Sequence, residues 1–282
     1  MRAAAVQLNS NEDKDRNLTV ADRLTRAAAA DGAELVVLPE KFNVLGTNED
    51  FVRGAETLEG RTIGWAREVA RELGIDLVAG SIAERREGRE KLSNTSVHVG
   101  PDGEIRAVYR KIHMFDVEVG GQVYRESDSE EPGGEIVLSQ TDGGLPLGLT
   151  VCYDLRFPEL YRILAVQGAR VVTLPAAFTK VTGQAHWEIL IRARAIENQA
   201  FIVAADQVGA HPPDRETFGG SLIVDPWGEV LARAPDASTG AAEPGFVAAD
   251  LDLARQDEVR EKLPSLANRL ASAYRWPQEV PV

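Results

Sequence analysis

The chain has one cysteine, Cys152, in 282 residues. No disulfide can form within it, so a packed core must hold the fold, and a lone thiol without an export signal suits the cytoplasm. Basic residues are few: 31 Lys and Arg stand against 44 Asp and Glu, a net charge of −13. Nucleic acids and anionic membranes reward clustered cations, so neither is expected as a partner. No apolar run approaches the ~18 residues of a membrane span, and the opening MRAAAVQLN lacks the apolar segment of a signal peptide. The four histidines, His98, His113, His186 and His211, are scattered, with no HExxH or paired spacing. No metal site is expected from them. No glycine-rich phosphate loop follows a strand, so no nucleotide or other cofactor is inferred.

Hydrophobic residues make up 44% of the chain and charged residues 27%, enough for a sizeable core. There is no internal repeat, low-complexity linker or composition break, so residues 1–282 are read as one domain. Arg2 to Leu8 reads as a strand. Leu18, Ala21, Leu24 and Ala28 mark an amphipathic helix ended by Asp31-Gly32. A second strand, Glu34 to Pro39, is apolar almost throughout, as strands covered on both faces are. A helix over Thr62 to Leu73, closed by Gly74, leads to a strand from Ile75. Two β–α–β units at the start point to an α/β layered fold.

The middle changes character. Asn94–Gly100 and Glu104–Tyr109 flank Pro101-Asp102-Gly103, a hairpin signal that makes the sheet mixed. Met114 to Gly134 reads as a long loop, a length that in a compact domain points to function or disorder. Later come a strand from Arg170, a helix over Gln184–Gln199, a strand over Ala200–Asp206 and a hairpin around Asp225-Pro226-Trp227-Gly228. A last strand, Gly245–Asp250, precedes a tail with one helix. The tail's aromatic end, Ala273-Tyr274-Arg275-Trp276-Pro277, is expected to dock on the domain or a partner subunit.

The chemistry centres on LGLTVCYDLRFPELY, Leu147 to Tyr161. A buried strand stops at Cys152, and Pro158 suits the first turn of the helix that follows. A side chain on such a turn is exposed at the strand's carboxyl end, beside free backbone N–H groups. A lone cysteine is also a common small core residue, and a nucleophile needs a base and an oxyanion stabiliser. Glu40 follows a buried strand and Pro39. Buried there, a carboxylate must be paired or have its pKa raised, and a raised glutamate is a suitable base. Lys111 lies just past a strand. Glu40 and Lys111 each alone read more readily as solvated surface residues, but with Cys152 they stand where open α/β sheets place their sites.

The contexts LVVLPEKFN, YRKIHMFD and GLTVCYDLRFPEL resemble the three signature regions of the nitrilase, or carbon–nitrogen hydrolase, superfamily. AGSIAE, YRES…PGG, LPAAFTKVTGQAHWEILIRARAIENQ and VDPWGEVLA extend the resemblance to its Nit branch over nearly the whole length. The resemblance implies a four-layer α-β-β-α sandwich with mixed sheets, formed into homodimers or higher homo-oligomers. It implies Cys152 as nucleophile, Glu40 as general base and Lys111 as oxyanion partner with the Tyr153 N–H. The family's second glutamate falls on Glu126, with Glu130 and Glu131 as nearby alternatives. The loop reads Val119-Gly120-Gly121-Gln122, where many relatives carry a proline before glycine.

The implied reaction hydrolyses a small carboxylate-bearing amide through a cysteine thioester, releasing ammonia. The segment from Phe178 through His186 to Gln199 looks closest to amidases of deaminated glutathione. An omega-amidase acting on α-keto acid monoamides is the alternative. A non-catalytic scaffold is the contrasting class, and it has no need of the Glu–Lys–Cys set. Arg156 is a candidate for a substrate carboxylate, or else for an ion pair with Glu159 or another acid. Phe178 and His186 are candidates for the pocket wall.

Overall fold

The structure, a computed structural model, describes residues 1–240 and 242–274. Its centre is two mixed sheets laid face to face. One has seven strands, in which Arg2–Gln7 lies between antiparallel Gly245–Asp250 and parallel Leu35–Val37. Asp76–Val78 continues it to the antiparallel group Ser93–Val99, Ile82–Glu84 and Ile105–Arg110. The other has six strands in the order Val230–Arg233, Leu222–Val224, Phe201–Asp206, Val171–Ala176, Pro146–Leu149 and Leu138–Gln140.

Side-chain alternation explains the layers. Ala3, Ala5, Leu35 and Val37 point into the space between the sheets, against Leu147, Leu149 and Val171. Their neighbours Ala4, Val6, Val36 and Leu38 point the other way, onto Leu18, Ala21 and Leu24 of helix Lys14–Ala30 and onto Ile63 and Ala66 of helix Arg61–Leu73. A period of two buried on both faces demands two apolar coverings. Helices Pro158–Val166 and Lys180–Asn198 cover the second sheet, with Leu164, Trp187 and Ile191 in the same core. The result is the expected α-β-β-α sandwich.

Several details depart from the sequence reading. The long loop after Lys111 contains a hairpin, Asp116–Val119 paired with Gln122–Arg125, and a 3-10 turn, Glu126–Asp128. Gly120 and Gly121 form its turn, both with positive φ (61° and 77°), a two-residue hairpin connection open to glycine at little cost. A second hairpin, Val208–His211 with Arg215–Phe218, and a short helix, Asn48–Gly54, have too little apolar periodicity to read as elements. Helix Lys180–Asn198 begins one turn before the expected Gln184.

The first part of the tail packs on the domain. Helix Leu253–Lys262 is fixed by Gln256, whose Nε2 donates to the Arg170 and Gln199 carbonyls, and by Arg260, which donates to the Gln199 and Ala169 carbonyls. Tyr274 is exposed, and Arg275, Trp276 and Pro277 lie outside the described residues.

Candidate active site

Glu40 follows strand Leu35–Val37, Lys111 follows Ile105–Arg110, and Cys152 opens the turn after Pro146–Leu149. All three are buried, and all line one cavity of about 660 Å³. The Lys111 ammonium donates to Glu40 Oε1 at 3.1 Å and to both oxygens of Glu126, at 2.9 and 2.8 Å. Asn94 Nδ2 bridges the same two carboxylates, 2.7 Å from Glu40 and 3.0 Å from Glu126. The Ala177 N–H donates to Glu40 Oε2 at 3.0 Å, and the Phe115 N–H to Glu126 at 2.6 Å. Glu40 therefore cannot swing away. Its own N–H donates to the Ala176 carbonyl, and Gly80 clears space for the bend before it. A Cβ on Gly80 would sit 2.0 Å from the Pro39 carbonyl oxygen, at a φ of +41°.

Cys152 has φ +46°, a left-handed backbone that costs a residue with a Cβ about 1–2 kcal/mol. Asp154 holds the turn in that shape. Its carboxylate accepts the Val151 N–H at 2.8 Å, and its N–H donates to the Val151 carbonyl at 3.1 Å. The same buried carboxylate accepts from the Tyr109 hydroxyl at 2.7 Å and the His113 N–H at 3.3 Å, and meets His113 Nδ1 at 2.7 Å. Tyr109 and His113 stand two residues either side of Lys111. One side chain thus ties the Lys111 segment to the Cys152 turn.

Charge in this site is strongly coupled. Burial pushes the Cys152 thiol well up, and the Glu40 carboxylate pushes it further; Lys111 and the Ala177 N–H pull down without prevailing. The resting sulfur is a neutral thiol, and an attack by it would need a base to take its proton. Burial opposes charge on Lys111, yet the Glu126 and Glu40 carboxylates outweigh it and hold the ammonium well above its ordinary range. Burial would raise Glu126 as well, but Lys111 overrides it and brings its pKa down to about 2.

The three glutamates of the loop separate clearly. Glu126 is on Lys111. Glu130 is buried against Lys41, and burial lifts its pKa to about 7 against the pull of that lysine. Glu131 turns away to Arg86 and Arg89. Tyr153 and Phe178 line the cavity. Arg156 lines it too, its guanidinium 5.2 Å from the centre of the Phe178 ring and 6.0 Å from that of Tyr153. It makes no ion pair with Glu159 among the described residues.

His186 does not line the cavity. Gly183 and Trp187 take the inward face of its helix, and His186, on the exposed side, touches Arg156 Nη1 at 3.3 Å. Sequence reasoning also missed Asn94, Lys41 and the Ala177 N–H. The legible signal for Asn94 was a polar residue at the start of a buried strand; a backbone N–H carries no signal in the sequence.

Known proteins resemble this chain over most of its length. Residues 2–261 match the carbon–nitrogen hydrolase family. The chain is 40% identical to the deaminated glutathione amidase of Bos taurus over 276 residues, 96% of this chain and 82% of that protein. It is 38% identical to the omega-amidase NIT2 of Homo sapiens over 274 residues, 97% of this chain and 96% of that protein. The crystal structure of Saccharomyces cerevisiae Nit3, a member of branch 10 of the nitrilase superfamily, superposes with a TM-score of 0.86 at 29% identity, covering 96% of each chain. The chain therefore belongs to the carbon–nitrogen hydrolase family and is an enzyme of carbon–nitrogen bonds other than peptide bonds.

Proposed function

We propose that the chain is a thiol amidase in which Cys152, Glu40 and Lys111 carry the chemistry and Glu126 positions Lys111. One observation carries this reading: a buried, neutral thiol shares a cavity with a fixed carboxylate and a fixed ammonium. Cys152 Sγ attacks the amide carbonyl as Glu40 takes its proton. The oxyanion lies between Lys111 Nζ and the Tyr153 N–H, which has no protein hydrogen-bond partner among the described residues. Glu40 gives the proton to the departing amine, and the acyl group stays on sulfur as a thioester. Water then attacks that carbonyl, Glu40 taking its proton, and the expelled thiolate recovers the proton from Glu40. General acid–base help contributes about 10²–10⁴-fold, and one oxyanion donor about 10²–10³-fold.

The substrate is a small amide bearing carboxylates, with deaminated glutathione favoured by the similarity to amidases so named. Arg156, without an acid partner and on the nucleophile's own turn, suits a carboxylate of the acyl part. The leaving group follows the substrate: ammonia from a primary amide, cysteinylglycine from deaminated glutathione. The omega-amidase reading rests on the comparable identity to NIT2. Residues 1–282 act as one domain, supported by a single family match over 2–261. We also infer a cytoplasmic homodimer. Ile163 and Val166 on one helix and Ile189 and Ile196 on its neighbour leave an apolar face exposed, and a single thiol suits a reducing compartment.

The test is product release from deaminated glutathione, α-ketoglutaramate, α-ketosuccinamate and a simple aliphatic amide, with the native protein and with Cys152→Ala. Turnover confined to the native protein is expected, with deaminated glutathione the best substrate. Preference for α-ketoglutaramate moves the assignment to omega-amidase. Turnover that survives in Cys152→Ala ends the thiol mechanism.

A further inference from the structure

The cavity carries more positive charge than the chemistry uses. Five cationic side chains line it: Lys41, Lys111, Arg125, Arg156 and Arg215. The two lysines are consumed by Glu130 and by the Glu40–Glu126 pair. None of the three arginines makes an ion pair or hydrogen bond with a carboxylate among the described residues, in a chain with 44 acids, although Arg125 stands across the strand pair from Asp116. Arg125 is exposed and bonds only the carbonyl of its own neighbour, Tyr124.

Arg215 is different. It is half-buried, its guanidinium lies 5.5 Å from the centre of the Tyr124 ring, and Nη1 reaches the Gly46 carbonyl at 3.4 Å. Those contacts orient the guanidinium while leaving donors free. Glu216 next to it is already bonded to Lys180. Glu49 and Asp128 line the same cavity and repel an anion, so binding one there depends on a guanidinium.

Its position bears on which carboxylate it meets. Arg156 stands four residues after Cys152, on the nucleophile's own turn. Arg215 stands instead on a separate hairpin, half-buried and next to where the two hairpins meet through Gln122 Nε2 and the Asp214 carbonyl at 2.8 Å. A cavity of about 660 Å³ leaves much of its volume unfilled by a small monoamide.

We propose that Arg215 binds a carboxylate on the amine side of the scissile bond, selecting amides whose leaving group is itself an amino acid or short peptide. The inference rests on the amidase reading above and names the feature that separates its two substrate classes. Two arginines on different elements give a two-point fit, one for the acyl part and one for the leaving part.

The test compares native protein, Arg215→Met, Arg215→Lys and Arg125→Met on three amides. They are deaminated glutathione, the same compound with its terminal carboxylate amidated, and α-ketoglutaramate. Arg215→Met is expected to lose about 10- to 100-fold in kcat/KM on deaminated glutathione, mostly through KM, the range of a charge-assisted hydrogen-bond pair. The amidated compound and α-ketoglutaramate should change less than about threefold, Arg215→Lys should recover part of the loss, and Arg125→Met should lose little. Equal loss on all three substrates, or no loss on any, overturns the assignment.

A native protein inactive on all three ends the amidase reading by itself. Calorimetric binding of deaminated glutathione to Cys152→Ala, with and without Arg215→Met, then decides Arg215 separately. Weaker binding without the arginine supports its role; equal affinity, or no binding to either, refutes it.

Discussion

Replacing Glu126 by Gln is the sharpest probe of the buried charge network. The substitution keeps the side chain's shape and removes one charge. Glu126 accepts four hydrogen bonds from three donors: Lys111 Nζ at both oxygens, Asn94 Nδ2 and the Phe115 N–H. A glutamine must turn its NH₂ toward one of them, donor against donor, and leaves Lys111 with Glu40 as its one carboxylate. Two routes give the magnitude. A pKa held at about 2 rather than 4.5 corresponds to about 3 kcal/mol of folded-state stabilisation. Breaking one side of a buried ion pair costs about 3–5 kcal/mol. A loss of about 3 kcal/mol at pH 7 is therefore expected in urea unfolding.

The sign with pH follows from the depressed pKa. The stabilisation is fully present above about 4.5 and is lost as pH falls toward 2, because protonated Glu126 resembles glutamine. The gap between native protein and variant should stay constant from pH 8 to pH 5. In activity, a displaced Lys111 should lower kcat by about 10²-fold with little change in KM. A variant as stable as the native protein at pH 7, or a gap that widens between pH 7 and pH 5, would refute the reasoning.

Two further predictions follow from single contacts. Asp154→Asn leaves at least one of its buried donors without an acceptor, at about 1–3 kcal/mol each, and frees the Cys152 turn from the Lys111 segment. It should slow both turnover and iodoacetamide alkylation of Cys152 while KM holds; unchanged alkylation would mean the turn keeps its shape without the tie. Ile163→Asp places a charge in the exposed apolar face of helix Pro158–Val166 and should give a monomer by light scattering, and a native protein already monomeric would remove the dimer proposal.

Much of the molecule was legible from local pattern, since a strand's alternation and a helix's stripe are written in consecutive residues. The strand, the turn at Cys152 and the helix from Pro158 could all be read, as could Glu40 and Lys111 at strand ends. Irregular pieces were less legible. The hairpins over Asp116–Arg125 and Val208–Phe218 are short and half-exposed, so burial imposes little pattern on them. Gly120-Gly121 was the one local clue, and it reads equally well as a flexible loop.

What the sequence alone determined was the layered α/β architecture and the three residue types at three strand ends, because both follow from short-range periodicity and turn chemistry. The tertiary structure decided which glutamate meets Lys111, since Glu126, Glu130 and Glu131 share one loop and differ only in the cation each faces. It also decided that the resting sulfur is a thiol. The sign of that shift is a balance among burial, Glu40 and Lys111, groups distant from Cys152 in the chain and brought to it only by packing two sheets.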